Sequence, residues 1–431
     1  MIEFLLGRAG TGKTHACLAA MAARMKEEPM GSALVLLLPE HATYRAERRL
    51  AAMMTDGGEG FVRSLVFGFK RFARHVLQET GGAAAARITS VGRWLLLKRI
   101  LAEEADHLQA FARAAKQRGF TETLENALQE LKSYGLKEES LKEVQSMLSD
   151  EALCQKLDDL ALIYRRYREK MAGRYNDTGD MLDALAAKIP ASNLLDGAEI
   201  WVDGFSFFNP QERSILKALF QKAKDVHITL TFEPTEEGKS QREGSLFYRQ
   251  AQTLQQMKLM VEAMHLPVRV RALTENQRFT QGTLAAVERG GFSFPLAPER
   301  GAAGIALVET ATRRLEMEAA AADIVRLCRE EGLRWRDVAI LLRDEAAYGD
   351  MLALILEDCG IPYFRDNKRA GVHHPLAELI RSAFEVLRGW RYDAVFRALK
   401  TGFFPQTRGE IDLLENYVLE FGIRGSRWTM E

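Results

Sequence analysis

The chain of 431 residues has only four cysteines, Cys17, Cys154, Cys328 and Cys359, and no two form a CxxC pair. Disulfide frameworks and zinc sites need closer or patterned spacing, so neither is expected, and the thiols read as isolated groups of a reducing compartment. Net charge is also lacking, because 59 Lys and Arg face 59 Asp and Glu. The molecule as a whole therefore offers no field to draw in a polyanion, and any nucleic-acid contact has to come from local clusters. No apolar run approaches the ~20 residues that span a bilayer. The opening residues place Glu3 inside a short apolar run that ends at Gly7, which reads as a strand entering a loop and not as a signal peptide. A cytoplasmic protein without a membrane segment is the expectation. Hydrophobic residues at 47% and charged residues at 27% are ordinary for a globular chain, and this length predicts roughly two or three domains.

Short apolar runs bounded by turn residues predict buried parallel strands at 2–7, 33–39, 62–69, 199–205 and 226–232, with two more at 305–311 and 338–343. Helical patterns such as 15–28 and 43–54 lie between the first of these. The alternation predicts a doubly wound α/β sheet. Between 90 and 190 the character changes, and apolar residues recur at helical spacing, as in Leu124, Leu128 and Leu131 or Leu157, Leu160, Ile163, Tyr164 and Tyr167. An all-helical insertion in a discontinuous sheet domain, 1–89 with 191–289, is predicted. Gly290, Gly291, Pro295, Pro298, Gly301 and Gly304 read as a linker. A second α/β unit over 300–375 and a helical stretch over 376–431 follow, and the sequence stops at Glu431 as though cut within folded sequence.

Gly7, Arg8, Ala9, Gly10, Thr11, Gly12, Lys13 and Thr14 fit the phosphate-loop pattern GxxxxGK(S/T) at every fixed position. Glycines let backbone N–H groups turn inward around phosphates with no Cβ in the way. Lys13 supplies a point charge to the β- and γ-phosphates. Thr14 offers a hydroxyl to Mg2+ and opens a helix whose N-terminus favours anions. ATP with Mg2+ is the implied cofactor pair. A strand before the loop and a helix-forming run after it supply the context the motif requires.

A P-loop hydrolase also needs a strand ending in an acid for Mg2+, usually followed by a Glu that activates water. Ile200, Trp201, Val202 and Asp203 supply the strand and a metal-side carboxylate, but the next residue is Gly204. A missing base removes a factor of roughly 10²–10⁴ from attack by water. Glu212, about two helical turns further on, is the alternative acid. The pattern predicts nucleotide binding without an efficient hydrolytic centre, and no catalytic residue is assigned.

Between Phe61 and Leu77 stand Arg63, Lys70, Arg71, Arg74 and His75, with Phe61, Phe67, Phe69 and Phe72 among them and no acid. Cations track a phosphate backbone while aromatic faces stack on bases, the usual recipe for single-stranded nucleic acid. The same phenylalanines also suit a core, and Arg71 and Arg74 a solvated helix face. A polar run from Glu40 through His41, Thr43 and Tyr44 to Arg45 follows the strand at 33–39, and Phe205, Phe207 and Phe208 follow the Asp203 strand. Ligands of open α/β sheets bind at the carboxyl ends of strands.

In this order the segments resemble superfamily 1 helicases of the UvrD type. Gly7–Thr14 resembles motif I, and Leu36 to Glu40 motif Ia. Phe67 to Ala73 resembles the "TFHSLA" segment that contacts single-stranded DNA, and Thr178 to Leu182 the end of the 1B insertion. Asp203 to Glu212 resembles a degraded motif II. The stretch 314–364 resembles the start of domain 2A, with motif IV beginning at Arg343 and Gly349 where a second arginine is expected. No motif III is visible after the strand at 226–232, and the "TFHSLA" histidine is lost near Gly68. The spellings GRAGTGKT, LLPEHATYRAE and WVDGFSFFNPQE narrow the resemblance to AddB subunits of helicase–nucleases, over essentially the whole chain.

That resemblance implies domains 1A, 1B and the beginning of 2A, then the helical start of a 2B-type insertion. It implies a partner helicase–nuclease subunit of the AddA type, single-stranded and double-strand-end DNA as ligand, and scanning for the recombination hotspot Chi. His41, Thr43, Phe67, Phe69, Lys70, Arg71, Arg74, Phe205 and Phe208 are the implied DNA contacts. The family's iron–sulfur cluster belongs to a C-terminal nuclease domain absent from this sequence. Two other readings are an active translocase using an acid such as Glu212, and a P-loop small-molecule kinase with the helical block as lid. The second α/β unit argues against the kinase.

Overall fold

A computed structural model describes residues 1–54, 63–81, 86–117, 119–172, 174–234, 243–279, 282–292, 304–365, 371 and 374–429. Phe61, Val62 and most of the proposed linker lie outside these described residues. The chain divides into two units, Met1–Ala306 and Leu307–Glu431.

The first unit opens with β1 (Ile2–Gly7), α1 (Lys13–Glu27), β2 (Leu34–Leu37), α2 (Thr43–Met54), β3 (Ser64–Phe67) and α3 (Phe69–Thr80). A short strand β4 (Ala86–Arg87) leads into four helices, α4 (Ser90–Glu103), α5 (Phe120–Ser133), α6 (Glu138–Gln145) and α7 (Glu151–Met171). The chain returns through β5 (Tyr175–Asn176) to α8 (Thr178–Lys188), β6 (Glu199–Val202), α9 (Pro210–Lys222), β7 (Asp225–Thr231), α10 (Tyr248–Ala263), β8 (Val268–Ala272) and α11 (Gly282–Gly290).

Six of the strands form one sheet in the order β3-β2-β6-β7-β1-β8, and every pairing in it is parallel. Helices cover both faces, which is why β1, β2 and β6 are buried along their whole length and read as continuous apolar runs. Alternate residues go to opposite sides. Val35, Leu37, Ile200 and Val202 join the core beneath α3, α8, α9 and α10, whereas Leu34, Leu36 and Trp201 pack against α1 and α2. The α/β class with an inserted helical body is thus what the sequence predicts.

The helices between β4 and β5 carry a core of their own, built on Leu97, Ile100, Leu124, Leu128, Ile163, Tyr164 and Tyr167. The entering and leaving strands pair in parallel at Ala86↔Tyr175 and Arg87↔Asn176, so the insertion leaves the sheet domain on a two-strand stalk. Lys132 of α5 reaches the buried carboxylate of Asp177, the N-cap of α8, at 2.9 Å, while α8 packs on α3 and α9. Among the described residues no helix is long and apolar enough to cross a membrane.

Two features depart from the sequence reading. β8 was not predicted, because its alternation of Val and Arg lacks the apolar run that marks a covered strand; it is the sheet edge, and every residue in it is exposed. In the second unit, α12 (Arg313–Glu330) and α13 (Glu345–Asp358) share a core of Met317, Ala321, Ile324, Leu352, Ile355 and Leu356. α14 (Pro375–Gly389), α15 (Tyr392–Leu399) and α16 (Arg408–Glu420) follow. The strands predicted at 305–311 and 338–343 do not form. A strand needs a backbone partner, none is present for them among the described residues, and Leu307 and Leu341 stand 98% and 92% exposed.

Phe72 is completely buried in the first core, on the face of α3 that meets the sheet. Phe72→Ala is expected to cost about 3–5 kcal/mol, read as a lower denaturant midpoint for the sheet domain. A loss under about 1 kcal/mol would contradict this packing.

Candidate nucleotide site and nucleic-acid interface

The loop between β1 and α1 is shaped by its glycines. Gly10 and Gly12 sit at φ of 80° and 85°, the left-handed region that side chains avoid. A Cβ on Gly10 would lie 3.0 Å from both Arg278 and the Phe279 ring, and one on Gly7 2.7 Å from the Leu273 carbonyl. The segment after β8 therefore lies directly against the loop, and the Gln277 N–H donates to the Gly10 carbonyl at 2.8 Å. Lys13 folds back inside the loop and donates to the carbonyls of Gly7 at 2.7 Å and Arg8 at 2.8 Å. Its ammonium is pushed down to about 8 by burial, with Asp203 opposing that fall and Arg278 adding to it.

Because all strands run parallel, their carboxyl ends share one edge, and there the first turn of α1 meets β6 and β7. The Thr14 hydroxyl donates to one oxygen of Asp203 at 2.7 Å, and the Thr229 hydroxyl of β7 donates to the other. Asp203 itself is 4% exposed. Thr14 and Asp203 thus bring two oxygens together, which suits Mg2+, an ion that takes few protein ligands and fills its shell with phosphate oxygens and water. Among the described residues no cluster of three His, Cys, Asp or Glu offers a protein-only metal site.

Gly204 does more than omit a carboxylate. It turns at φ 81°, and a Cβ there would sit 3.2 Å from Cδ of Pro39. The backbone after Asp203 therefore takes a conformation that costs an L side chain roughly 1–2 kcal/mol. Glu212, the alternative base, closes the capping box of α9, with its carboxylate accepting from the Asn209 N–H at 2.9 Å. Burial raises its pKa against the effect of that hydrogen bond.

The residues singled out for DNA divide by exposure. His41, Lys70, Arg71 and Arg74 are exposed, and Phe205 is half-buried. Thr43, Phe67, Phe69 and Phe208 are buried. Thr43 donates to the Glu40 carbonyl at 3.0 Å. Phe69, Phe205 and Phe208 form an aromatic row with ring centroids 5.3 and 5.4 Å apart, which supports the surface from beneath. The Arg71 guanidinium lies over Phe67 at 5.6 Å and 3.8 Å from Glu47, an ion pair linking α3 to α2, which packs on the opposite face of the sheet. Tyr44, 69% exposed with Arg48 above its ring, and exposed Arg45 extend this basic face; Phe207 is exposed after Asp203.

Arg278 and Thr229 were missed by sequence reasoning. Arg278 follows a strand at the carboxyl edge, the rule that located Asp203, but its strand β8 was itself unrecognised. Arg343, read as the start of motif IV, lies in the second unit.

Fold and site together define a RecA-like α/β domain with an inserted helical body. The chain belongs to the family described as ADDB, N-terminal, which matches residues 4–288. It is similar to proteins whose names make them one subunit of an ATP-dependent helicase/deoxyribonuclease. That of Desulforamulus reducens is 42% identical over 99% of this chain and 38% of its own length. That of Heliobacterium modesticaldum is 44% identical over 99% and 36%, and that of Geobacillus thermodenitrificans 38% identical over 100% and 38%. The chain thus spans less than two-fifths of the length of these relatives.

The Lys13 ammonium is pushed down to about 8 by burial, and phosphate would favour its charged form, so a nucleotide bound there would take up a proton above that pH. MgATP affinity is expected to weaken by up to tenfold per unit from roughly pH 8 upward. Lys13→Arg, which stays charged, should flatten that profile. A wild-type affinity that does not change from about pH 7.5 to 9.5 would contradict the depressed ammonium.

Proposed function

We propose that this chain is the helicase-like N-terminal part of an AddB-type subunit, which binds MgATP and single-stranded DNA but hydrolyses ATP poorly. The observation that carries this reading is the turn after Asp203. The Thr14–Asp203 pair needed to hold Mg2+ is intact, while the next residue lacks a carboxylate and sits in a left-handed turn packed on Pro39. In this reading Lys13 and the loop amides cradle the phosphates, and exposed Arg278 supplies a second cation from the covering segment. Mg2+ held by Thr14 and Asp203 would neutralise phosphate charge.

The basic face of α2 and α3 is the proposed path of the strand, with His41, Lys70, Arg71 and Arg74 on phosphates and Phe205 at its edge. Its neighbourhood with the phosphate loop on one sheet edge supports a nucleotide role in DNA binding. The relatives' name speaks for a place in an ATP-dependent helicase/deoxyribonuclease, with an AddA-type subunit as partner, double-strand ends as substrate and Chi as the scanned sequence, in the cytoplasm. An iron–sulfur cluster would belong to a further domain. The active-translocase reading needs a base in place of Gly204, and the engagement of Glu212 in the α9 cap gives it no support.

The test is binding of MgATP and of a single-stranded oligonucleotide to the chain at two salt concentrations. Lys13→Ala should abolish nucleotide binding. Reversing Lys70, Arg71 and Arg74 to Glu should weaken the oligonucleotide at least tenfold and flatten its salt dependence. Oligonucleotide affinity unchanged by the triple reversal would remove this face from the account. Gly204→Glu is expected not to raise ATP turnover, and to lower stability by roughly 1–2 kcal/mol. An increase of tenfold or more would show that only the missing carboxylate, and not the turn, limits hydrolysis.

A further inference from the structure

Arg8 is the one long side chain in the phosphate loop besides Lys13, and it points away from the phosphate side. Its guanidinium donates through Nε to both carboxylate oxygens of Glu288 on α11, at 3.0 and 3.1 Å. It reaches Glu233, beyond the end of β7, at 3.3 Å, and the carbonyls of Glu288 and Arg289. The Phe247 ring lies beneath it at 5.3 Å. Only 17% of the side chain is exposed. Meanwhile the Arg8 carbonyl accepts from Lys13 at 2.8 Å and from the Thr11 hydroxyl at 3.0 Å. The same residue thus grips the lysine with its backbone and α11 with its side chain.

At the other end of that connection, the segment leading into α11 covers the loop. Arg278 and Phe279 stand against Gly10, and Gln277 donates to its carbonyl. α11 begins only three residues after Phe279, so a helix held at Glu288 through both its carboxylate and its backbone carbonyl limits how far Arg278 and Phe279 can move from the loop. We propose that Arg8 is a positioning residue. Its side chain ties α11 to the loop, thereby holds Arg278 over the phosphate site, and sets nucleotide affinity without itself touching the nucleotide. This deepens the reading of the loop as an ATP site and rests on it.

The coupling is tested by calorimetric titration of the chain with MgATP. Arg8→Ala is expected to weaken binding about tenfold, as one lost charged positioning contact of ~1.4 kcal/mol would, and Arg278→Ala by at least as much. Because Arg8 acts through Arg278, the double variant should bind within about twofold of Arg278→Ala alone, well short of the product of the two losses. Arg8→Lys, which keeps the charge but lacks separate Nε and Nη donors for the Glu288 carboxylate and the backbone carbonyls, should fall between Arg8→Ala and wild type. Glu288→Gln removes the charge pair from the α11 side and should repeat the Arg8→Ala loss even if Arg8→Ala does not fold. Wild-type affinity in Arg8→Ala or in Glu288→Gln, or losses that multiply in the double variant, would overturn the proposal. If the wild type binds no MgATP, the nucleotide reading falls and this inference with it; if the wild type binds and only the coupling is absent, the inference alone falls.

Discussion

The contact between Thr14 and Asp203 depends on nearly everything else in the first unit. One residue lies in the first turn of the helix after β1 and the other directly follows β6, two strands away across β7. They meet at 2.7 Å only because the sheet is parallel throughout and twists its carboxyl ends towards a common edge. The apolar residues of β1, β2 and β6 hold that arrangement by burying both faces of the sheet. Thr229 fixes the second oxygen of Asp203 and leaves the first turned to Thr14. A buried carboxylate with both oxygens committed is set in place before any ligand arrives, and preorganisation of this kind lowers the cost of holding a metal–phosphate complex.

What the site holds and what it can do then separate at a single peptide. Hydrolysis needs a base placed to order water, and the turn at Gly204 supplies neither the group nor a backbone that readily accepts one. Around it the loop is, on the proposed reading, a site of retention. Lys13 is already enclosed by carbonyls, Gly10 lies under Arg278 and Phe279, and Arg8 grips α11. On the proposed reading, a nucleotide held in this way would act as a structural element, and the basic face of α2 and α3, on the next strands of the same edge, is the surface it would organise.

Much of this was legible in the sequence where the signal is local. The phosphate loop follows from glycine spacing, and the buried strands from runs that a two-sided cover makes uniformly apolar. Other parts were hidden for definable reasons. β8 carries Arg269 and Arg271 because an edge strand has less to bury, so it and Arg278 beyond it escaped notice. Phe69, Phe72, Ala73 and Val76 stand at helical spacing on the face of α3 that meets the core, which marks Phe69 as packing more than as a stacking surface. Phe67 is the last residue of a buried strand. The segments at 305–311 and 338–343 show that apolarity announces a wish for burial and not the partner that provides it.

Retention without turnover is the central claim, and the nucleotide itself reports on it. The chain would be incubated with MgATP and single-stranded DNA, separated from free ligand, and the bound nucleotide identified over time. The account predicts that ATP is recovered intact, with ADP forming far more slowly than the turnovers per second typical of motors. Rapid conversion to ADP, stimulated by DNA and abolished by Lys13→Ala, would contradict it.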